Sequence, residues 1–324
     1  MLIRVLAVAL APGDSRMLKG DCDWIQHPKG GHPFIIGSDV AGIVVEVSPN
    51  EKKFQVGDYV VSRFELPGPV GGAAEYRVVK TALSEKCPSS ISHIVACGLP
   101  ASAAAAKKIV RKWIKEGDRV LVIGGSGGVG SSVIQYAKLF GASYVAAVST
   151  HKDLCESIGA NRVIDYRKEK WWELEEFHSN ESKFDIVFDM VNGENWTLGG
   201  RSSLGALRAK KSTYVLLGPG VATKIELHSL WDMIAISFTW MFDAARFNAN
   251  RKLPRYLYES ALDLEDGELQ DVLQDVVDGN LKPVVDTRSP FPFTQEGVRE
   301  AMKLQESCHA QGKVVVEASS TVSF

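Results

Sequence analysis

Val122–Ala142 reads VIGGSGGVGSSVIQYAKLFGA. Apolar residues lead into five glycines within the seven positions Gly124–Gly130, and a helix-patterned segment follows. Gly125–Gly130 is a G-x-G-x-x-G sequence. A turn this tight calls for positive φ, which glycine adopts without a Cβ clash. The middle glycine lets backbone approach a pyrophosphate, and the last lets helix and strand pack closely. The helix N-terminus offers unpaired amides and partial positive charge to phosphates. Alone the spacing is weak; between a strand and a helix it predicts a dinucleotide-binding turn.

Working outward, strands are expected at Arg119–Gly124, Tyr144–Ser149, Arg162–Asp165, Asp185–Met190, Thr213–Gly218 and Ile234–Met241. Helices are expected at Ala101–Lys115, Val129–Phe140 and His151–Ile158, with a polar helix through Trp171 and Trp172. Continuous apolar strands joined by helices predict an α/β fold, a Rossmann-type doubly wound parallel sheet covered on both faces. Residues 1–98 are rich in glycine, proline and valine, with short strands at Asp39–Val47, Asp58–Ser62 and Gly71–Val79. They predict an irregular, mainly β domain. The opening MLIRVLAVALAPG has the outline of a secretory signal, but Ile3, Val5 and Val8 are β-formers and it reads as a strand. An acidic helical segment, Leu262–Val277, and a closing strand within GKVVVEA complete the pattern. The domain division is therefore 1–98 with 252–324, and 99–251.

A chain of 324 residues exceeds one compact core, which fits two domains. The net charge of −2 argues against nucleic acid as a partner. Five cysteines, an odd number with no C-x-x-C pair, exclude a disulfide framework and a zinc lobe built on such pairs. A reducing compartment is expected: the cytoplasm, or a mitochondrion or plastid if a leader precedes this sequence. No stretch reaches the ~18 apolar residues of an integral membrane segment.

The second strand ends at Ser149, about 20 residues past the turn, where NAD enzymes carry Asp or Glu for the ribose 2′-hydroxyl. Here Ser149–Lys152 reads STHK, with no acid before Asp153. A carboxylate would repel a 2′-phosphate, whereas a hydroxyl and an ammonium would bind one. The cofactor expected is NADPH; the alternative is that Ser149 caps the next helix.

The segments APGDSRMLKG, GSDVAGIVVEV, VGDYVV, GGAAEYRVV, GDRVLVIGGSGGVGSSVIQYAKLFGA, GANRVIDYR, FDIVFDMV, LKPVVD and HAQGKVVV span nearly the whole chain. Together they resemble the medium-chain dehydrogenase/reductase superfamily, in its zinc-free, quinone-oxidoreductase-like branch. The resemblance implies a GroES-like substrate domain beside the Rossmann domain. It implies that Ser126, Gly127, Gly128, Val129 and Gly130 hold the pyrophosphate, and that Ser149, Lys152 and Tyr166 line a 2′-phosphate pocket. Leu217 and Gly218 would lie near the nicotinamide, with His309, Ala310 and Gln311 approaching from the other domain. The zinc alcohol dehydrogenases place a cysteine where this chain has Ala11, and Gly-His-Glu where it has Gly37-Ser38-Asp39. Alanine cannot ligate and serine is a poor zinc ligand, so no metal is expected.

The implied activity is NADPH-dependent hydride transfer to a quinone or other activated carbonyl compound. The alternatives are an enoyl (double-bond) reductase acting on an enone, or a cofactor-binding protein with little turnover. Ser15 stands where several quinone reductases carry an aromatic residue, so the catalytic proton donor is unassigned, with Arg16 and Lys19 nearby. Family members carry a strand pair ahead of the segment matching RVLAVALAPGD. This chain starts almost inside that match, so part of the substrate domain's sheet is expected to be missing. Trp171 and Trp172 are read as helix packing. Ile234–Met241 resembles the family's edge strand, where two subunits pair sheets in a homodimer.

Overall fold

Ile3, Val5, Val8 and Leu10 belong to one nine-residue strand, β1 (Leu2–Leu10), whose residues from Val5 to Leu10 are all buried. This is a computed structural model; it describes residues 1–20, 34–64, 71–192, 195–200, 205–208, 212–217, 254–259 and 267–318, and positions 231, 238, 245 and 249. The chain divides into two compact units. Unit 1 takes Met1–Ala104 and Leu264–Phe324, and unit 2 takes Ala105–Ile225 and Ser229–Asp263.

In unit 1, β1 is followed by α1 (Pro12–Lys19), β2 (Asp39–Glu46), β3 (Tyr59–Ser62), β4 (Tyr76–Val78), β5 (Ser84–Lys86) and the short helix α2 (His93–Ala96). The chain leaves through α3 (Ser102–Trp113), whose buried alanines Ala103–Ala106 explain its alanine-rich start. Unit 2 then alternates β6 (Arg119–Ile123), α4 (Gly128–Leu139), β7 (Tyr144–Val148), α5 (Lys152–Ser157) and β8 (Arg162–Ile164). It continues with β9 (Ile186–Asp189), β10 (Thr213–Leu217) and β11 (Arg255–Glu259). Unit 1 is completed by α6 (Glu268–Val277), β12 (Phe291–Pro292), α7 (Gln295–Glu306) and β13 (Val314–Glu317).

The unit 1 sheet has seven strands in the order β12-β13-β1-β2-β3-β5, with β4 also on β1. β2 covers one side of β1; β4 covers Leu2–Arg4 and β13 covers Ala7–Leu10 on the other. Strands therefore flank both ends of β1. Ile3, Val8, Val40, Val60, Val314 and Ala301 of α7 close the core.

The unit 2 sheet runs β11-β10-β9-β6-β7-β8, and every pairing is parallel. Chain order reverses at β6, the switch point where such sheets open a crevice at the strands' carboxyl ends. β6 is buried from Val120 to Ile123 because helices cover both faces of a parallel sheet.

Two expectations need correction. The Trp171–Trp172 segment forms turns and a short 3₁₀ stretch, Glu175–Phe177, in place of a polar helix. Trp171 is 1% exposed in the sheet core, its Nε1 donates to Asn195 Oδ1, and Trp172 meets it edge-on at 5.6 Å. Burying an indole there favours turns that direct one side chain inward over a solvated helix face. Within Ile234–Met241 only Phe238 is described, and it is helical; the rest of the stretch expected as the edge strand lies outside the described residues. The edge is β11, which lies in the segment 252–263 assigned by sequence to the substrate domain; it pairs with β10 of unit 2 from Arg255 to Glu259. The acidic helix begins at Glu268; 262–266 lie outside the described residues.

Candidate functional site

The glycine turn joins the carboxyl end of β6 to α4. Its left-handed residue is Gly124, at φ 83°, one position ahead of G-x-G-x-x-G. The amides of Gly124 and Gly125 both donate to Val148 O, tying the turn to β7 at 3.1 and 3.2 Å. A Cβ on Gly125 would stand 2.8 Å from Ala147 Cβ, and one on Gly130 would stand 2.1 Å from Gly124 O. These two glycines are thus packing requirements. Gly127 differs: a Cβ there would meet only Gly124 O, at an ordinary 3.4 Å. It is the N-cap of α4 and has no side chain to cap with. Among the described residues no acceptor faces the amides of Ser126, Gly128, Val129 or Gly130. Among the described residues, this twelve-residue helix therefore starts in a glycine-rich cradle of unspent donors, which suits a diphosphate. A dinucleotide fits these residues.

Next to the turn, β7 and β8 end side by side, with the Ser149 amide donating to Ile164 O at 3.0 Å. Ser149 is 3% exposed, and its hydroxyl accepts from the His151 amide at 3.0 Å, just ahead of α5. It also hydrogen-bonds the Cys155 thiol, whose pKa burial pushes up to about 11 despite that bond. Lys152 is exposed, with its ammonium 3.7 Å from Glu156. Tyr166 is exposed just past β8. The structure thus brings Ser149, Lys152 and Tyr166 to one edge, with the Ser149 hydroxyl already engaged by the His151 amide.

At the centre of the same edge, β9 ends in Asp189, which is fully buried. Its Oδ2 accepts from Tyr214 Oη at 2.5 Å, and its Oδ1 accepts from the amides of Val191 and Asn192. Burial raises its pKa, against the pull of those three donors. Asn192 is held at φ 69°, and Val191 Cγ2 approaches the Cβ position of Gly124 to 3.1 Å. Leu217, 6% exposed, ends β10; Gly218 lies outside the described residues. Sequence reading missed Asp189 and Tyr214, although an Asp closing the apolar run DIVFD carried a signal.

In unit 1, Asp14 and Asp39 are buried at 4% and 0% exposure. Asp14 accepts from the amides of Ala11 and Gly37 and from Ser38 Oγ. Asp39 accepts from the amides of Phe64 and Ala101, at 3.1 and 2.9 Å. Burial pushes both carboxyls above their ordinary range, opposed by these donors and by the charge of buried Lys313. Ala11 supplies no ligand atom, and the oxygens of Ser38 and Asp39 are engaged within the protein. A zinc ion does not fit these residues. Ser15 Oγ donates to Pro12 O, and exposed Lys19 pairs with Glu306.

His309 and Cys308 form an exposed loop of unit 1, with the His309 ring against Ser307 O. Ala310 packs partly on the unit 1 core, and the Gln311 amide donates to Asp286 Oδ2 at 2.8 Å. Gly312 follows at φ 75°.

Among the described residues no helix is long and apolar enough to cross a membrane. Residues 1–89 match the family model for an alcohol dehydrogenase GroES-like domain, and 158–316 match that for a zinc-binding dehydrogenase. The chain is 34% identical to the Arabidopsis thaliana chloroplastic NADPH-dependent alkenal/one oxidoreductase, over 98% of this chain and 71% of that protein. It is 33% identical, with the same coverage, to 2-methylene-furan-3-one reductase of Solanum lycopersicum. In structure it resembles the quinone oxidoreductase of Coxiella burnetii, at TM-score 0.74 and 22% identity over 98% of this chain and 90% of that one. The Gly124–Gly130 cradle on a six-stranded parallel sheet, beside a GroES-like unit, agrees with these likenesses. The chain belongs to the medium-chain dehydrogenase/reductase superfamily, in its zinc-free, quinone-oxidoreductase-like branch.

Proposed function

We propose that this protein is an NADPH-dependent oxidoreductase that reduces a quinone or another activated carbonyl compound without zinc. The observation that carries the reading is the cradle at Ser126–Gly130, where four amides lack acceptors among the described residues. These residues hold the pyrophosphate. Ser149, Lys152 and Tyr166 bind the adenosine 2′-phosphate, and Leu217 lies at the nicotinamide end. When bound, the nicotinamide supplies the hydride. Asp189 fixes the turn beside Gly124, and the buried ends of β6, β9 and β10 keep that floor dry.

Two relatives are named for carbonyl compounds bearing a conjugated or exocyclic double bond, which favours enone reduction as the second reading. Quinones and enones share an electron-poor carbon conjugated to a carbonyl. NADPH oxidation with 9,10-phenanthrenequinone, compared with an α,β-unsaturated ketone, separates the two. Tight NADPH binding without oxidation across both would leave a binding protein with little turnover.

We also propose a cytoplasmic homodimer. Relatives named for the chloroplast and the mitochondrion keep those compartments as alternatives. Strand β11, at one edge of its sheet, is the pairing surface. A monomer by light scattering would sink the dimer.

A further inference from the structure

The turn after β8 carries a charge arrangement that the nucleotide reading does not use. Asp165 follows Ile164, whose carbonyl accepts from the Ser149 amide, so a carboxylate reaches the ribose edge from the strand next door. A dinucleotide site that prefers an unphosphorylated ribose uses an acid at this edge. Here the acid is already taken. Asp165 Oδ1 accepts from Arg167 N and Arg167 Nε, at 3.1 and 3.0 Å, and Oδ2 accepts from Arg167 Nη2 at 3.0 Å. Lys168 Nζ lies 3.8 Å away. This fork geometry is the strong one for a guanidinium and a carboxylate. The neighbouring acids are paired too: Glu156 with Lys152, and Glu169 with Arg162. Arg167 remains exposed while Asp165 is mostly covered.

We propose that Arg167 is a specificity-determining positioning residue: by capping Asp165 it cancels the one acid that follows β8 and makes this edge accept a 2′-phosphate. The assignment rests on the dinucleotide reading above. Arg167 acts through Asp165, so uncovering Asp165 turns the site toward NADH, and removing both charges restores the original preference.

The test titrates NADPH and NADH, by nucleotide fluorescence, against the wild-type protein, Arg167→Ala, Asp165→Asn and the double variant. Circular dichroism confirms that each is folded. Arg167→Ala is expected to lower the NADPH-to-NADH affinity ratio on the order of tenfold, as for an uncovered unit charge a few ångströms away near the surface. Asp165→Asn keeps or raises the ratio, and the double variant returns to within about twofold of wild type. A ratio unmoved by Arg167→Ala, or a double variant as impaired as Arg167→Ala, overturns the assignment while leaving the dinucleotide reading intact. Wild-type protein that binds neither nucleotide overturns both.

Discussion

The two units treat buried polar groups in opposite ways. In unit 1, Asp14 and Asp39 lie deep and each carboxylate oxygen has a donor from its own chain. In unit 2, the amides at the start of α4 face a space that nothing in the described chain fills. A saturated polar cluster is structure, because its bonding capacity is spent before any ligand arrives. An unsaturated one at a strand edge is an invitation. The Asp14–Asp39 cluster is the first kind, and the glycine turn is the second.

The largest effect should fall on the saturated side. Asp39→Ala would strand the Phe64 and Ala101 amides and leave buried Lys313 and Arg77 without its charge. We expect a loss of about 3 kcal/mol in urea unfolding. A change under about 0.5 kcal/mol, the range of ordinary surface substitutions, would show that this network is not structural.

Gly127→Val probes the open side. Among the described residues nothing approaches that Cβ position closer than 3.4 Å, so unfolding should change by no more than about 1 kcal/mol. NADPH affinity should fall about a hundredfold, near 2.7 kcal/mol, because the side chain occupies the space meant for the pyrophosphate. Unchanged affinity in folded protein would make the cradle a plain turn. Gly130→Val is the contrast: its Cβ meets backbone at 2.1 Å, and the fold itself should suffer.

The same difference explains what the sequence revealed. The parallel sheet was legible because its strands are buried on both faces and read as unbroken apolar runs, as in RVLVI and TYVLL. The turn was legible because glycine is scarce in strands and helices, yet the residue needing positive φ proved to be Gly124, outside the motif's spacing. What the sequence hid were partnerships over long separations. Asp14 reaches Gly37 and Ser38, Asp39 reaches Ala101, and Tyr214 reaches Asp189. No local period encodes such pairs. Trp171 was misplaced on a helix because a buried indole and a helix-face indole look alike until the Asn195 acceptor and the close approach of Gly199 are seen.

Asp189 tests whether unit 2 also contains a saturated cluster beneath its open edge. Tyr214→Phe removes the donor to Oδ2 and should cost about 2 kcal/mol at neutral pH. The sign with pH is definite. Burial raises the Asp189 pKa, so the carboxyl's contribution to stability is fully present below its unfolded value of about 3.9 and is lost as pH rises through the folded value. Tyr214 stabilises the anion, so its removal should hurt less in acid than at pH 7. Equal penalties in urea titrations at both pH values would mean that Tyr214 only fills space.

The smallest effect concerns the residue on which the two kinds of cluster meet. Ser149 is buried and accepts from the His151 amide, yet it stands at the ribose edge and also hydrogen-bonds Cys155. Ser149→Ala should cost about 1 kcal/mol in stability through the lost hydrogen bond to the His151 amide. If the hydroxyl also turns to a 2′-phosphate, NADPH should weaken about fivefold while NADH does not, a loss of the size expected for one charge-assisted hydrogen bond in a partly wet site. Equal changes for both nucleotides would place Ser149 wholly on the saturated side, leaving the phosphate to Lys152 and Tyr166. The His151 amide and the phosphate use different parts of one hydroxyl, an acceptor lone pair and a donor hydrogen, so the two losses can be measured independently.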